Sequence, residues 1–184
     1  MPASEIDSIS ESEIVLILTS AEKYVSTTMH VLKTMINQRK RECIYVTINR
    51  PYKVMANILK EGKIDTGSIF FIDMISKMTN IVADGAEDCL FVSSPDSLTE
   101  LSIAINESVK NKGSKNKFLF FDSLSTLLLY NQAGTVTKFA HFLLGKMKTD
   151  LVETIIISLE KEMDEKMINQ LSVFVDKVIK VNCK

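Results

Sequence analysis

One carboxylate in this chain stands where a strand-borne acid does chemistry. The run Phe118-Leu-Phe-Phe-Asp122-Ser-Leu-Ser-Thr-Leu-Leu-Leu-Tyr130 drives four apolar residues straight into Asp122, with small hydroxyl residues behind it. A continuous apolar run of this kind reads as a strand buried on both faces, with the acid at its carboxyl end. In nucleotide-hydrolysing folds an Asp so placed holds the magnesium of a bound triphosphate. That chemistry also needs a loop of the form G-x-x-x-x-G-K-[ST]. Its glycines let backbone amides converge on phosphate, its Lys neutralises charge and its hydroxyl meets the metal. The place for it holds Ser20-Ala-Glu-Lys-Tyr-Val-Ser-Thr27. Ser20 and Val25 stand at the glycine positions, Ser26 at the Lys and Thr27 at the hydroxyl.

The missing Lys carries a definite magnitude. A cation about 4 Å from a phosphate contributes roughly 4 kcal/mol at an effective dielectric of 20. Micromolar binding corresponds to about 8 kcal/mol, so its loss moves such a site toward millimolar. The β-branched Val25 also resists the positive φ that glycine supplies. Lys23, one turn earlier, is a partial substitute. The candidate site is therefore a vestigial nucleotide cleft of Ser20, Lys23, Ser26, Thr27 and Asp122. No catalytic residue is assigned, and Asp122 is the metal contact only if a magnesium nucleotide binds. In the other reading Asp122 is structural, accepting hydrogen bonds from Ser26, Thr27 or backbone amides.

Other polar groups add little. Asn49, after the second strand, stands where a water-activating carboxylate would be useful and cannot act as a general base. Glu160 is expected to pair with Lys161 or face solvent. Ser123 and Ser125 read as turn formers, because no base is placed beside them. His30 and His141 fall on separate helical segments. Lys110, Lys112, Lys115 and Lys117 cluster in a polar loop without the interleaved aromatics that stack bases, so a solvated loop is expected.

The acid is positioned by an alternation of strands and helices. Ile14–Thr19, Cys43–Ile48, Ile69–Ile72, Cys89–Val92, Phe118–Phe121, Glu153–Ile157 and Phe174–Val181 read as strands. Between them lie helical patterns over 24–39, from Pro51 with Val54, Ile58 and Leu59 facing inward, from Pro95, over 135–148 and over 164–171. Asp84-Gly85 marks a loop. Apolar strands separated by amphipathic helices predict an α/β fold: a three-layer α/β/α sandwich with a mostly parallel central sheet. Ligands of such sheets bind at the carboxyl ends of the strands. The Ser-rich, acidic residues 1–13 are expected to be a flexible leader, followed by one domain over 14–184.

Bulk properties fit that picture. The chain has 184 residues with 46% hydrophobic and 24% charged, and a net charge of −1. Nothing global steers it to nucleic acid or an anionic membrane. Cys43, Cys89 and Cys183 are scattered and odd in number, which suits reduced thiols and a cytoplasmic setting. No segment reaches the roughly 20 apolar residues of a membrane span, and no targeting peptide is visible.

Three stretches carry a family resemblance: Asp122–Tyr130, Gly134-Thr-Val-Thr-Lys-Phe139 and Ile157-Ser-Leu-Glu-Lys161. Together they resemble the later half of RecA-superfamily, KaiC-like ATPase domains. Thr47-Ile-Asn-Arg-Pro-Tyr52, with Ile72-Asp73 after it, resembles archaeal members whose phosphate loop is degenerate. The resemblance implies a RecA-like P-loop NTPase fold over about 14–181 and, in intact members, ATP-driven assembly. By position Ser20–Thr27 replace the phosphate loop, Asp122 matches the magnesium-associated Asp and Asn49 falls near the catalytic Glu. The expectation is a catalytically inactive domain acting through protein partners or self-association, in regulation or signal transduction, with no cofactor. The alternatives are an ATP-binding protein or slow ATPase, and a nucleic-acid-binding domain using the Lys110–Lys117 loop.

Overall fold

The computed structural model describes residues 2–80, 86–111 and 116–181, without the side chains of 2–4 and 111. Seven strands form one sheet: β1 (Ile14–Thr19), β2 (Glu42–Thr47), β3 (Ile69–Asp73), β4 (Cys89–Phe91), β5 (Lys117–Asp122), β6 (Glu153–Leu159) and β7 (Lys177–Val181). Their order is β4-β3-β2-β5-β6-β1-β7, and every pairing is parallel. The α/β sandwich expected from the apolar runs is therefore present. Strand β6 lies between β1 and β5, so the first strand and the acid-bearing strand are not neighbours.

Side chains alternate between the two faces with the period of two that a strand imposes. Val15, Ile17, Tyr45, Phe71, Phe118 and Phe120 face one core. That core is closed by α1 (Pro2–Asp7), α2 (Ala21–Leu32) with its π-helical continuation Lys33–Gln38, and α3 (Tyr52–Glu61). Leu16, Leu18, Val46, Leu119, Phe121 and Ile156 face the other. It is closed by α4 (Leu98–Asn111), the short α5 (Leu124–Leu127), α6 (Ala133–Thr149) and α7 (Glu165–Ser172). Burial on both faces is why these strands are continuous apolar runs rather than alternating ones.

Several local expectations change. The residues expected to be a flexible leader include α1, and Ile6 and Ile9 are each only 2% exposed. Two isoleucines in a polar segment are enough to anchor it against the sheet, and Arg39 clamps it by donating to the carbonyls of Asp7 and Ile9 at 2.6 Å each. Pro51 is the N-cap of α3 rather than a first-turn residue. Val54 is 46% exposed, and Met55 with Leu59 takes the inner face. Asp84 and Gly85, like Lys112, Lys115 and Cys183, lie outside the described residues.

The last helix depends on one cap. Asp164 accepts a hydrogen bond from the Met167 amide at 2.6 Å and so satisfies an otherwise unpaired first-turn donor. Asp164→Ala is expected to cost about 1 kcal/mol in urea unfolding. A change below a few tenths would mean that water replaces the cap.

Candidate functional site

Period two along the strands decides what meets Asp122. Asp122 shares its face of β5 with Phe118 and Phe120, which is the α2/α3 face. On β2, paired to β5 in register Thr47↔Asp122, Tyr45 shares that face. The Tyr45 hydroxyl donates to Asp122 Oδ2. The chain then leaves β2, and Asn49 turns back to donate to Asp122 Oδ1 at 2.9 Å. Asn49 also donates to the Tyr24 hydroxyl at 2.8 Å and accepts from the Thr126 hydroxyl. Asp122 is 2% exposed, and burial pushes its carboxyl up to about 8. The two donated hydrogen bonds act in the opposite direction.

Asp122 closes one end of a cavity of about 250 Å³. Ala21, Tyr24, Val25, Thr28 and Met29 of α2 form one wall, and Met55 and Ile58 of α3 form another. Asn49, Arg50, Ser123, Thr126 and Leu159 complete it from the carboxyl ends of β2, β5 and β6. This is the edge at which parallel sheets present their ligand crevices.

Of the expected cleft residues only Asp122 lines this cavity. Strand β1 ends at Thr19 and α2 begins at Ala21, so a single residue, Ser20, connects them. Ser20–Thr27 is therefore the start of a helix and not a loop. Helical periodicity then sends its residues in different directions. Positions 21, 24, 25 and 28 face the cavity. Ser20 is the N-cap of α2. Lys23 is exposed. Ser26 is exposed and donates to the Lys23 carbonyl at 2.9 Å. The buried Thr27 hydroxyl turns to Thr19, 3.5 Å away.

The neighbouring acid, Asp73, is fully buried and fully used. It accepts from the Tyr52 amide (2.6 Å), the Ile75 amide (2.7 Å), the Ser76 amide (2.8 Å) and the Ser76 hydroxyl (2.6 Å). It ties the end of β3 to the start of α3. Glu160 pairs with Lys180 at 3.2 Å, not with Lys161. Ser125 accepts from the Leu159 amide, and its own amide donates to the Ser158 hydroxyl, so it stitches α5 to the end of β6. His30 lies 3.3 Å from Asp7, and the His141 ring lies 4.1 Å from that of Phe174; neither lines the cavity. Among the described residues no group of three or more His, Cys, Asp or Glu is arranged to hold a metal. Among them, too, no helix is long and apolar enough to cross a membrane.

Tyr24, Thr28, Tyr45 and Arg50 escape a motif-based reading. Tyr45 had a usable signal: a Tyr inside a buried strand needs a partner for its hydroxyl, and Asp122 is the acid at the same sheet edge.

A model described as a family of unknown function (DUF7504) matches residues 15–181. No curated protein matches the chain. Among solved structures it is similar to a KaiC-like protein of the hyperthermophilic archaeon Pyrococcus horikoshii, with a TM-score of 0.65 and 12% identity over 95% of this chain and 74% of that one. It is also similar to an uncharacterized Pyrococcus horikoshii protein solved in complex with an unknown peptide, with a TM-score of 0.74 and 12% identity over 98% and 82%. The fold is thus of the RecA/KaiC-like type.

Proposed function

The chain belongs to the DUF7504 family, and from that membership and its RecA/KaiC-like fold we propose a single domain over 14–184 that does not hydrolyse nucleotide. It acts through protein contacts in regulation or signalling, in the cytoplasm. The observation that carries this reading is the one-residue β1–α2 connection. A phosphate cradle needs several successive backbone amides free to converge on one anion. Here those amides enter a helix directly. The residues at hand do not fit a magnesium nucleotide: Lys23 faces away from the cavity, Thr27 turns to Thr19, and both Asp122 oxygens accept hydrogen bonds from the protein. A carboxyl pushed up to about 8 is also mostly protonated at neutral pH, which makes it a poor magnesium ligand.

Contact through protein surfaces is supported on the opposite face. Ile103 is 53% and Phe142 64% exposed, beside a groove of about 610 Å³ between α4 and α6. Exposed apolar surface of this kind marks interaction sites. The neighbour solved with a bound peptide agrees with such a role for this fold.

The test is a melting titration with magnesium and ATP, together with phosphate release. A ligand at 100 times its dissociation constant adds about 2.7 kcal/mol of stability. The expected result is no rise in Tm at millimolar nucleotide and no phosphate above background. A dose-dependent rise that disappears in Asp122→Ala overturns the reading in favour of an ATP-binding protein.

A further inference from the structure

The cavity beneath α2 and α3 is lined by two polar side chains that the described residues leave unengaged. Thr28 is only 3% exposed and lines the cavity, yet its hydroxyl has no hydrogen-bond partner among the described residues. Buried hydroxyls are normally satisfied, and one left unpaired asks for a group that has yet to arrive. Arg50, half-buried, lines the same cavity and forms no ion pair among the described residues. The remaining wall is largely apolar, with Val25, Met29, Met55 and Ile58.

We propose that this cavity binds a small organic carboxylate, with its apolar body against Met29, Met55 and Ile58, its acid group on Arg50 and a polar atom on the Thr28 hydroxyl. The proposal goes beyond the absence of hydrolysis and assigns the inherited cavity a different ligand.

Size, charge and geometry each narrow the class. A cavity of about 150 Å³ accommodates benzene, so one of about 250 Å³ takes a ring or branched chain with one small polar head. It falls short of the roughly 300–1,000 Å³ of sites for drug-sized molecules. Only Arg50 and Asp122 among the lining residues are ionisable as acid or base below pH 9 or permanently charged. Burial holds the Asp122 carboxyl largely protonated at neutral pH, which leaves Arg50 as the formal charge. One cation matches a monoanion. A phosphate dianion would face that same single cation without a cradle of amides. The guanidinium fork is suited to two parallel hydrogen bonds from a carboxylate.

The experiment uses the full chain with benzoate, phenylacetate and 4-methylpentanoate as probes, and their primary amides (benzamide, phenylacetamide and 4-methylpentanamide) as neutral counterparts. Melting curves and isothermal titration read binding. At least one acid is expected to raise Tm saturably and to bind about tenfold or more tightly than its neutral counterpart. Arg50→Gln is expected to weaken the acid by about tenfold to a hundredfold, the value of a charge-assisted hydrogen bond, while leaving its amide unchanged. Thr28→Val, close in shape, is expected to weaken both. The variants' own melting curves and far-UV spectra show that they fold. No shift with any of the acids at about 10 mM, or equal binding by the Arg50→Gln protein, overturns the proposal. Either result leaves the nucleotide titration to judge the non-hydrolysing reading separately.

Discussion

The Asp122→Asn variant is expected to gain on the wild-type protein as pH rises, by about 4 kcal/mol between pH 5 and pH 8. In the unfolded chain the carboxyl titrates near 3.8, while in the folded protein burial raises it to about 8. Between those values the folded state keeps a proton that the unfolded state has lost. Stability contributed by this group is therefore complete below about pH 4 and is lost progressively as pH rises toward 8. Asn carries no proton to lose and has nearly the same shape. It still accepts one hydrogen bond at its carbonyl, and the Tyr45 hydroxyl turns to accept from its amide. At pH 5 the variant should be about as stable as wild type or slightly less so; at pH 8 it should be clearly more stable. Urea unfolding at several pH values measures this directly. Glu153, also buried and raised to about 7, titrates equally in both proteins and cancels in the difference. A gap between the two proteins that does not change with pH would mean that the donors from Tyr45 and Asn49 keep Asp122 ionised.

Asp73→Ala is expected to lower stability by about 3 to 5 kcal/mol, measured in the same way. The residue is 0% exposed, and its carboxylate accepts from three backbone amides and one hydroxyl. Alanine leaves those donors without partners, and each unsatisfied buried donor costs about 1–3 kcal/mol before relaxation. Water reaching the exposed rim near Tyr52 offsets part of that sum. Asp73→Asn should lose less, because its carbonyl still accepts from the Ile75 and Ser76 amides, and at the other position the Ser76 hydroxyl can turn to accept, so its amide opposes one fixed donor, the Tyr52 amide. A loss under 1 kcal/mol in Asp73→Ala would show that the 73–76 turn holds without its acid. The two acids thus contrast at one sheet edge. Asp73 is saturated by backbone donors and ties elements together, whereas Asp122 is buried with only two side-chain donors and lies open to a cavity.

The layered fold was legible in the chain because burial on both faces of a parallel strand leaves a direct mark. Ile14–Leu18, Phe118–Phe121 and the Ile155–Ile157 core of the Glu153–Ile157 strand are apolar runs, and the structure buries all of them. The acid at the end of β5 was legible for the same reason. Helix phase was less so: Val54 and Met55 are adjacent and both apolar, and only docking of α3 on Phe71 and its neighbours decides which one faces in. The α1 segment was hidden because Ile6 and Ile9 are sparse in a polar stretch.

The composition of the candidate site divides along the same line. That an acid stands at a strand end and that no glycine-rich loop precedes it can be read from neighbouring residues alone. That α2 starts one residue after β1 is visible only in the folded chain. That start turns Lys23 and Ser26 outward and places Tyr24, Val25 and Thr28 along the cavity that Asp122 also lines. Tyr45, Asn49 and Thr126 are 77, 73 and 4 positions from Asp122 and meet around it through the β2–β5 register. Sequence spacing carries local periodicity, but which strands become neighbours is decided by burying the whole sheet, and the cavity is made there.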